Sequence, residues 1–449
     1  MHRIACSALL CLTAIAHAQP APETDAIAAA LRDQALAGSG AYAIVESLTT
    51  EVGPRLAGTE ADARAVEWAK RRFAALGYDR VVLQPVSFPT WVRGHERAEV
   101  LSPAPQPLHL TTLGGSVGTD GPLEAEVVAF ADLDALKAAD PAQVQGRIAF
   151  VAKRMRRARD GRGYGEAVGA RGNGAVEAAR KGAVAVLIRS IGTDSDRMPH
   201  TGLMRYEDGV AQIPAAALSN PDADQLIRLL ERGPVRLRLD LGATRGPDHT
   251  SYNVIGEIAG STHPDEVVVI GGHLDSWDLG TGAIDDAAGI GITMAAGALI
   301  GQLDTRPKRT IRVIAFANEE QGLIGGFAYA KDQGEALKRH VIAAESDFGA
   351  GRIYAFRTSF GAEPPAWVRE AAALMAPLGI SWEPEGGGPG PDLIPAAREG
   401  MSWAQLAQDG TDYFDWHHTA NDTLDKVEPA ALDQQVAAYA VLAWVAANH

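Results

Sequence analysis

Beyond its first eighteen residues this 449-residue chain contains no cysteine; Cys6 and Cys11 are the two it has. The same eighteen residues read as an address. Arg3 opens a short basic region, Ile4 to Ile15 is apolar, and Ala16-His17-Ala18 is a small-x-small cleavage site before Gln19. A signal peptide over residues 1–18 is the expectation, and the bulky Leu10 before Cys11 speaks against a lipoprotein site. The chain that remains can form no disulfide, so thiolate nucleophiles and cysteine-ligated zinc are excluded. A short leader without disulfides suggests a bacterial periplasmic or secreted protein.

Basic charge is also scarce. Lys and Arg number 41 against 56 Asp and Glu, a formal net charge of −15. That balance argues against nucleic acid as a partner, because phosphate backbones are held by basic patches. One basic cluster stands out, Lys153 to Arg162, and it reads as an exposed, solvated loop. The apolar run of the leader is too short to span a bilayer permanently, and no other stretch is expected to be able to cross a membrane. Internal repeats and long low-complexity tracts are absent. With 46% hydrophobic and 22% charged residues, the composition is that of a soluble globular protein of two or three structural units.

What the chain does have is concentrated between Glu266 and Glu320. Val267 to Ile270 is a continuous apolar, β-branched run, as a strand covered on both faces requires. It stops at Gly271-Gly272 and delivers His273 and Asp275, two residues apart and so on one side of an extended chain. A Gly-rich loop, Asp278 to Gly282, leads to Asp285 and Asp286. Ala287 to Leu303 is almost uncharged and rich in small residues, so a helix packed closely under the sheet is predicted. A second strand, Thr310 to Ala317, ends in Asn318, Glu319 and Glu320. Ligands of open α/β sheets sit outside the carboxyl ends of parallel strands. That places His273, Asp275, Asp285, Glu319 and Glu320 around one crevice, and one imidazole with four carboxylates cannot all stay charged without a cation.

Around this stretch the pattern predicts helices at Thr24–Leu36 and Tyr42–Thr49. A third runs Thr59–Leu76, with Thr59 as N-cap and Gly77 as C-cap. Arg80 to Phe88 reads as a strand. The texture changes near Leu113, and residues 114–245 read as an inserted small α/β module with no chemically suggestive cluster, its helix from Asp222 capped by Asn220. Residues 19–113 and 246–449 then form one α/β unit: a mixed, mostly parallel sheet with helices on both faces. Its later part supplies Asp347 at the end of strand Val341–Ser346, adjacent histidines His417 and His418, and a long helix Pro429–Asn448.

Borderline cations such as Zn²⁺ take imidazole nitrogen and carboxylate oxygen. A two-metal site needs a shared carboxylate, about two further donors on each ion, and a nearby base. Asp285 is placed to be shared. Glu320, Asp347, His273 and one of His417 or His418 are the further donors. Glu319 is left free to move a proton, and Asp275 could orient His273.

At HLDS, GAIDDAAG, ANEE, ESD and HHTANDT the chain resembles the double-zinc exopeptidases. VGPRL, RAVEWA and GHLDSWDLGTGAIDD bring it nearer to the glutamate carboxypeptidase branch over most of its length. The resemblance implies two Zn²⁺ per chain, a peptide substrate, a protease-associated domain as the insertion, and homodimers. It implies His273 and Asp347 on one zinc, Glu320 and His418 on the other, Asp285 bridging, and Glu319 as general base. His418 is preferred over His417 because it precedes T-x-x-D-T. Relatives carry Tyr where this chain has His417, so His417 takes the place of the oxyanion partner. A single-zinc glutaminyl cyclase is disfavoured by His273 in its HxD setting. A receptor-like binding module is disfavoured by the complete donor set. Whether the substrate's free amine or free carboxylate is read stays open, with Arg352, Arg357 and Asp412 as candidates.

Overall fold

The computed structural model describes residues 23–449; the expected leader and both cysteines lie outside them. The Val267–Ile270 run forms the heart of strand His263–His273, in the middle of an eight-stranded sheet. Strands Arg309–Phe316 and His340–Glu345 flank it in parallel, and Trp403–Gln408 continues the parallel set. On one side Thr244–Ile258 and then Arg80–Val92 add in antiparallel register. On the other, Ile353–Thr358 runs antiparallel to Trp403–Gln408, and Ser381–Trp382 closes the edge. The sheet is therefore mixed with a parallel centre, and the donors predicted at strand ends share one rim.

The continuous apolar run has a direct cause. Val268 and Ile270 pack into the core under helices Ala41–Glu51, Glu60–Ala75, Ala288–Gly301 and Pro429–Asn448. Val267 and Val269 pack into a second cluster with Phe316, Tyr329 and Leu393 on the opposite face. Both faces are covered, so neither side of the Val267–Ile270 run carries polar residues. Thr59 caps its helix as expected, its hydroxyl accepting from the Asp62 N–H at 3.3 Å, and Gly77 has the positive φ of 84° that ends it. Asn220 is not a cap. Ser219 takes that position and accepts from Asp222, while Asn220 begins the helix Asn220–Leu230.

Two helices, Ala283–Gly301 and Pro429–Asn448, are long and apolar enough to cross a membrane, contrary to the sequence reading. Their windows are 100% and 89% buried inside the protein, so their apolar character serves the core.

A second eight-stranded sheet gathers the remaining strands around a separate apolar cluster that includes Val100, Phe150, Leu187 and Leu237. Three of its strands, Glu96–Ser102, Gln106–Leu108 and Leu110–Thr112, come from ahead of Gly114. Their alternation says strand but not which sheet a strand joins. The basic cluster is also more than a solvated loop. Arg157 pairs with Asp412 and Asp415 at 2.7 and 2.6 Å, and Arg159 with Asp409 at 3.0 Å, tying this module to the first.

Candidate metal centre

Strand geometry places the first donors. His273 ends its strand beside the Phe316 end of the neighbouring strand, so Glu319, Glu320 and Asp347 emerge from adjacent strand ends on the same rim. Asp285 and Asp286 reach the rim by another route. They sit in the irregular turn Ala283–Ala287, both with non-helical backbone, just before the buried helix Ala288–Gly301. That helix approaches the sheet closely because Gly272 and Gly289 lack side chains. A Cβ on either would lie 2.4 Å from the Asp286 carboxylate. Asp286 accepts from the N–H groups of His273 at 3.0 Å and Gly289 at 2.9 Å.

The two oxygens of Asp285 face different imidazoles. Oδ1 lies 3.1 Å from His273 Nε2, and Oδ2 lies 3.2 Å from His418 Nε2. His273 Nε2 is also 3.6 Å from Asp347 Oδ1, and His418 Nε2 is 3.0 Å from Glu320 Oε2. Two donor triads result, His273–Asp285–Asp347 and Asp285–His417–His418, each with its donor atoms within 4.8 Å of one another. Asp285 belongs to both. His417 stacks on His418 with ring centroids 3.5 Å apart, and its Nε2 is 3.6 Å from Asp285.

The electrostatics fit a cation. Asp285 Oδ2, Glu320 Oε1 and His417 Nδ1 are buried without a hydrogen-bond partner among the described residues, an expensive arrangement for polar atoms that bind nothing. Burial and the neighbouring carboxylates Asp347 and Glu320 push Glu319 well above the usual carboxylate range, although His273 pulls the other way. Burial and Asp285 likewise raise Glu320, opposed by His418. Burial disfavours a charged His273, yet the nearby carboxylates of Asp347, Asp275 and Asp285 hold it well above the ordinary histidine value. Burial also works against the charge on His418, and Glu320 and Asp285 nevertheless raise it to about 9. Burial and the adjacent His418 drive His417 well below the ordinary value, so a neutral ring donating through N–H is the form its surroundings favour. Carboxylates and imidazoles that borrow protons from one another are the donor set that a divalent cation displaces them from.

Asp275 is placed differently from expectation. Its carbonyl lies 3.0 Å from His273 Nδ1, whereas its carboxylate is 3.7 Å away. The carboxylate instead accepts from the N–H groups of Glu319 and Glu320. Arg352 and Asp412 line a cleft with Trp416 and Lys426 that lacks every proposed donor. Arg357 is tied to Glu383 and Gln405 at the side of a 220 Å³ cavity that reaches Asp347.

Two residues escaped the sequence reading. Arg55 is fully buried and donates to the carbonyls of Leu274, Thr281 and Gly282, clamping the Gly-rich loop. Asp422 accepts from Ala283 N–H at 2.7 Å and Ile284 N–H at 2.8 Å, which fixes the turn carrying Asp285. Burial, reinforced by Asp285, lifts Asp422 to about 7. Both lie in quoted motifs, VGPRL and HHTANDT, but their partners are backbone groups that no motif spells out. The cleft itself, 510 Å³, is lined by Asp285, Glu320, Asp347 and His418 and by Tyr164, Arg171, Asn173 and Arg205 of the second module.

A parallel sheet rim that collects buried carboxylates and imidazoles beside a cleft is an arrangement that metal-dependent hydrolases use. Known proteins narrow the class. Residues 253–443 match Peptidase family M28. Carboxypeptidase Q of Mus musculus is 35% identical over 89% of this chain and 84% of its own length. A crystal structure of a peptidase M28 precursor from Shewanella amazonensis SB2B is 51% identical, with a TM-score of 0.92 over 95% of this chain and 97% of that one. The zinc aminopeptidase of Bacillus subtilis shares the fold at 22% identity, with a TM-score of 0.64 over 89% of this chain and 93% of that one. The chain belongs to peptidase family M28 and is a zinc-dependent exopeptidase.

Proposed function

We propose that the protein hydrolyses dipeptides or short peptides at a free terminus, in the periplasm or outside the cell, with two zinc ions per chain. The observation that carries this reading is Asp285, whose two oxygens face two separate donor sets. His273 and Asp347 would hold one ion and Glu320 and His418 the other, with Asp285 common to both. Zinc bound there would polarise the scissile carbonyl and make water acidic enough to attack near neutral pH. Glu319 borders the cleft beside these donors and would take the proton from the attacking water and return it to the leaving amine. His417, neutral and at the cleft wall, would donate its Nε2–H toward the developing oxyanion.

The second module is proposed to be a protease-associated domain that walls the cleft and shapes the substrate's end, and the protein is proposed to act as a homodimer. Arg205 supports reading of a free carboxylate: it is exposed at the cleft and has no acidic partner among the described residues. Carboxypeptidase Q as a relative is in keeping with that direction. The test is hydrolysis of free, N-blocked and C-blocked dipeptides with product identification by mass spectrometry, before and after chelation. Activity on N-blocked dipeptides that chelation abolishes and Zn²⁺ restores supports the carboxypeptidase form. Cleavage of C-blocked substrates alone would replace it with an aminopeptidase, and full activity of the metal-free protein would end the metal reading.

A further inference from the structure

The second module carries none of the proposed metal donors, yet it lies against one of them. Its segment from Gly192 to Thr201 runs along the backbone of Phe414 to His418. Thr193 N–H donates to the Phe414 carbonyl at 3.0 Å, and Thr201 N–H donates to the His418 carbonyl at 3.0 Å. The Thr201 carbonyl faces His418 Nδ1 at 3.2 Å and also accepts from Arg171 at 3.4 Å. His418 is thereby grasped at its backbone and at the ring nitrogen pointing away from Asp285 and Glu320. It needs the support: its φ of 62° lies in the left-handed region that side-chain-bearing residues rarely adopt, and such a conformation persists only where the surroundings impose it.

Behind Thr201 the contacts continue. His200 is 2% exposed and places Nδ1 2.7 Å from the carbonyl of His417. Its Nε2 lies 2.7 Å from Asp194 Oδ1. Asp194 is fixed in turn, accepting from the Asn220 amide at 3.2 Å and from Asp196 N–H at 3.0 Å. Gly192 leaves room for this ring, since a Cβ there would sit 2.2 Å from it.

We infer that Asp194 and His200, with the backbone of Thr201, are positioning residues for the metal donor His418, so that the second module completes the metal centre rather than only walling the cleft. The inference rests on the reading of His418 as a donor. Groups that orient a metal-bound histidine through its second nitrogen or its backbone fix the ring's direction before the ion arrives.

The test is zinc binding by the full chain, measured by competition with a chromogenic chelator, with the thermal midpoint of the chelated protein as a control for folding. His200→Ala and the nearly isosteric Asp194→Asn should each weaken one zinc by about 10–100-fold and leave the other unchanged. His200→Asn, which returns an N–H toward the His417 carbonyl, should recover most of that loss. Activity of these variants should fall at limiting zinc and return with excess zinc, which a general loss of folding would not produce. His418→Ala separates the two readings. If it keeps the full complement of zinc, the donor assignment fails and the inference with it. If it loses one zinc while Asp194→Asn and His200→Ala bind zinc as tightly as the parent protein, the positioning role is overturned and the donor assignment stands.

Discussion

Asp275 accepts the backbone N–H of Glu319 at 3.0 Å and, through its other oxygen, that of Glu320 at 3.4 Å. One carboxylate at the end of strand His263–His273 therefore sets the direction of two acids at the end of the neighbouring strand. Asp275→Asn keeps the shape but turns one acceptor into a donor facing an N–H. Activity should fall by roughly 10–100-fold, with zinc held more weakly, as is typical when a group supporting metal ligands is lost. Steady-state kinetics and zinc titration of the variant check this; unchanged values for both would show that the two N–H groups need no partner there.

Glu319 and Glu320 are adjacent, and their surroundings separate them. Glu320 lies 3.0 Å from His418, while Glu319 has no ion-pair partner among the described residues and lines the cleft. Glu320→Ala should lose zinc. Glu319→Gln should retain it and bind substrate, yet turn over at least ~10³-fold more slowly, the upper part of what acid–base assistance supplies. Zinc content and kcat of both variants decide the matter. A Glu319→Gln enzyme without metal would mean the two roles are exchanged.

Arg55 connects the loop after His273 to the turn before Asp285 through three carbonyls. Burial opposes its charge, and Asp422, Asp275, Asp286 and Asp285 compensate. Arg55→Leu removes the donors and leaves those acids buried with less countercharge. A loss of about 3–5 kcal/mol is expected, the usual consequence of breaking a buried charge network from one side. Denaturant unfolding measures it, and a change below about 1 kcal/mol would show that water replaces the guanidinium at little cost.

These dependencies mark where the sequence stops being informative. His273, Glu320 and Asp347 are legible because a β-branched run followed by glycine or an acid marks a strand end, and parallel strand ends share a rim. The helix from Glu60 is legible from Thr59 and Gly77, whose roles are local. Asp422 is not, because it serves the N–H groups of Ala283 and Ile284, about 140 positions away, and a backbone group leaves no trace in the sequence. The same holds for Arg55 and for Thr201 against His418. Strand Glu96–Ser102 alternates clearly, but its partner Arg236–Leu241 is chosen by tertiary packing. Arg157 looks like one of several solvated arginines until Asp412 and Asp415 are brought to it.

Away from the metal centre, stability should respond to His340. Tyr329 donates to its Nε2 at 2.7 Å, and the ring Nδ1–H donates to the Ala336 carbonyl at 3.1 Å. Burial lowers its pKa to about 4, with a bond to Ala336 opposing. Because the folded value lies below the unfolded one, the unfolded chain binds the proton first as pH falls. The stabilising contribution is complete above the unfolded value near 6.5 and is lost progressively down to about 4. At roughly 1.4 kcal/mol per pH unit it amounts to about 3 kcal/mol. The difference in unfolding free energy between the parent and His340→Gln, followed from pH 7 to pH 4, should carry this slope. A difference that does not change with pH would mean the ring takes up its proton as readily in the fold as in the unfolded chain.

The proposed sharing of Asp285 between two zinc ions fixes the number of ions the protein should hold, and zinc can be counted per chain. Elemental analysis of the purified full chain, saturated with zinc and freed of excess, should give about two ions. Asp285→Ala takes one donor from each set, so both affinities should collapse and the count should fall below one, with the chelated variant as cooperatively folded as the chelated parent. One zinc in the parent protein, or a variant that still holds two, would show that Asp285 does not join two ions.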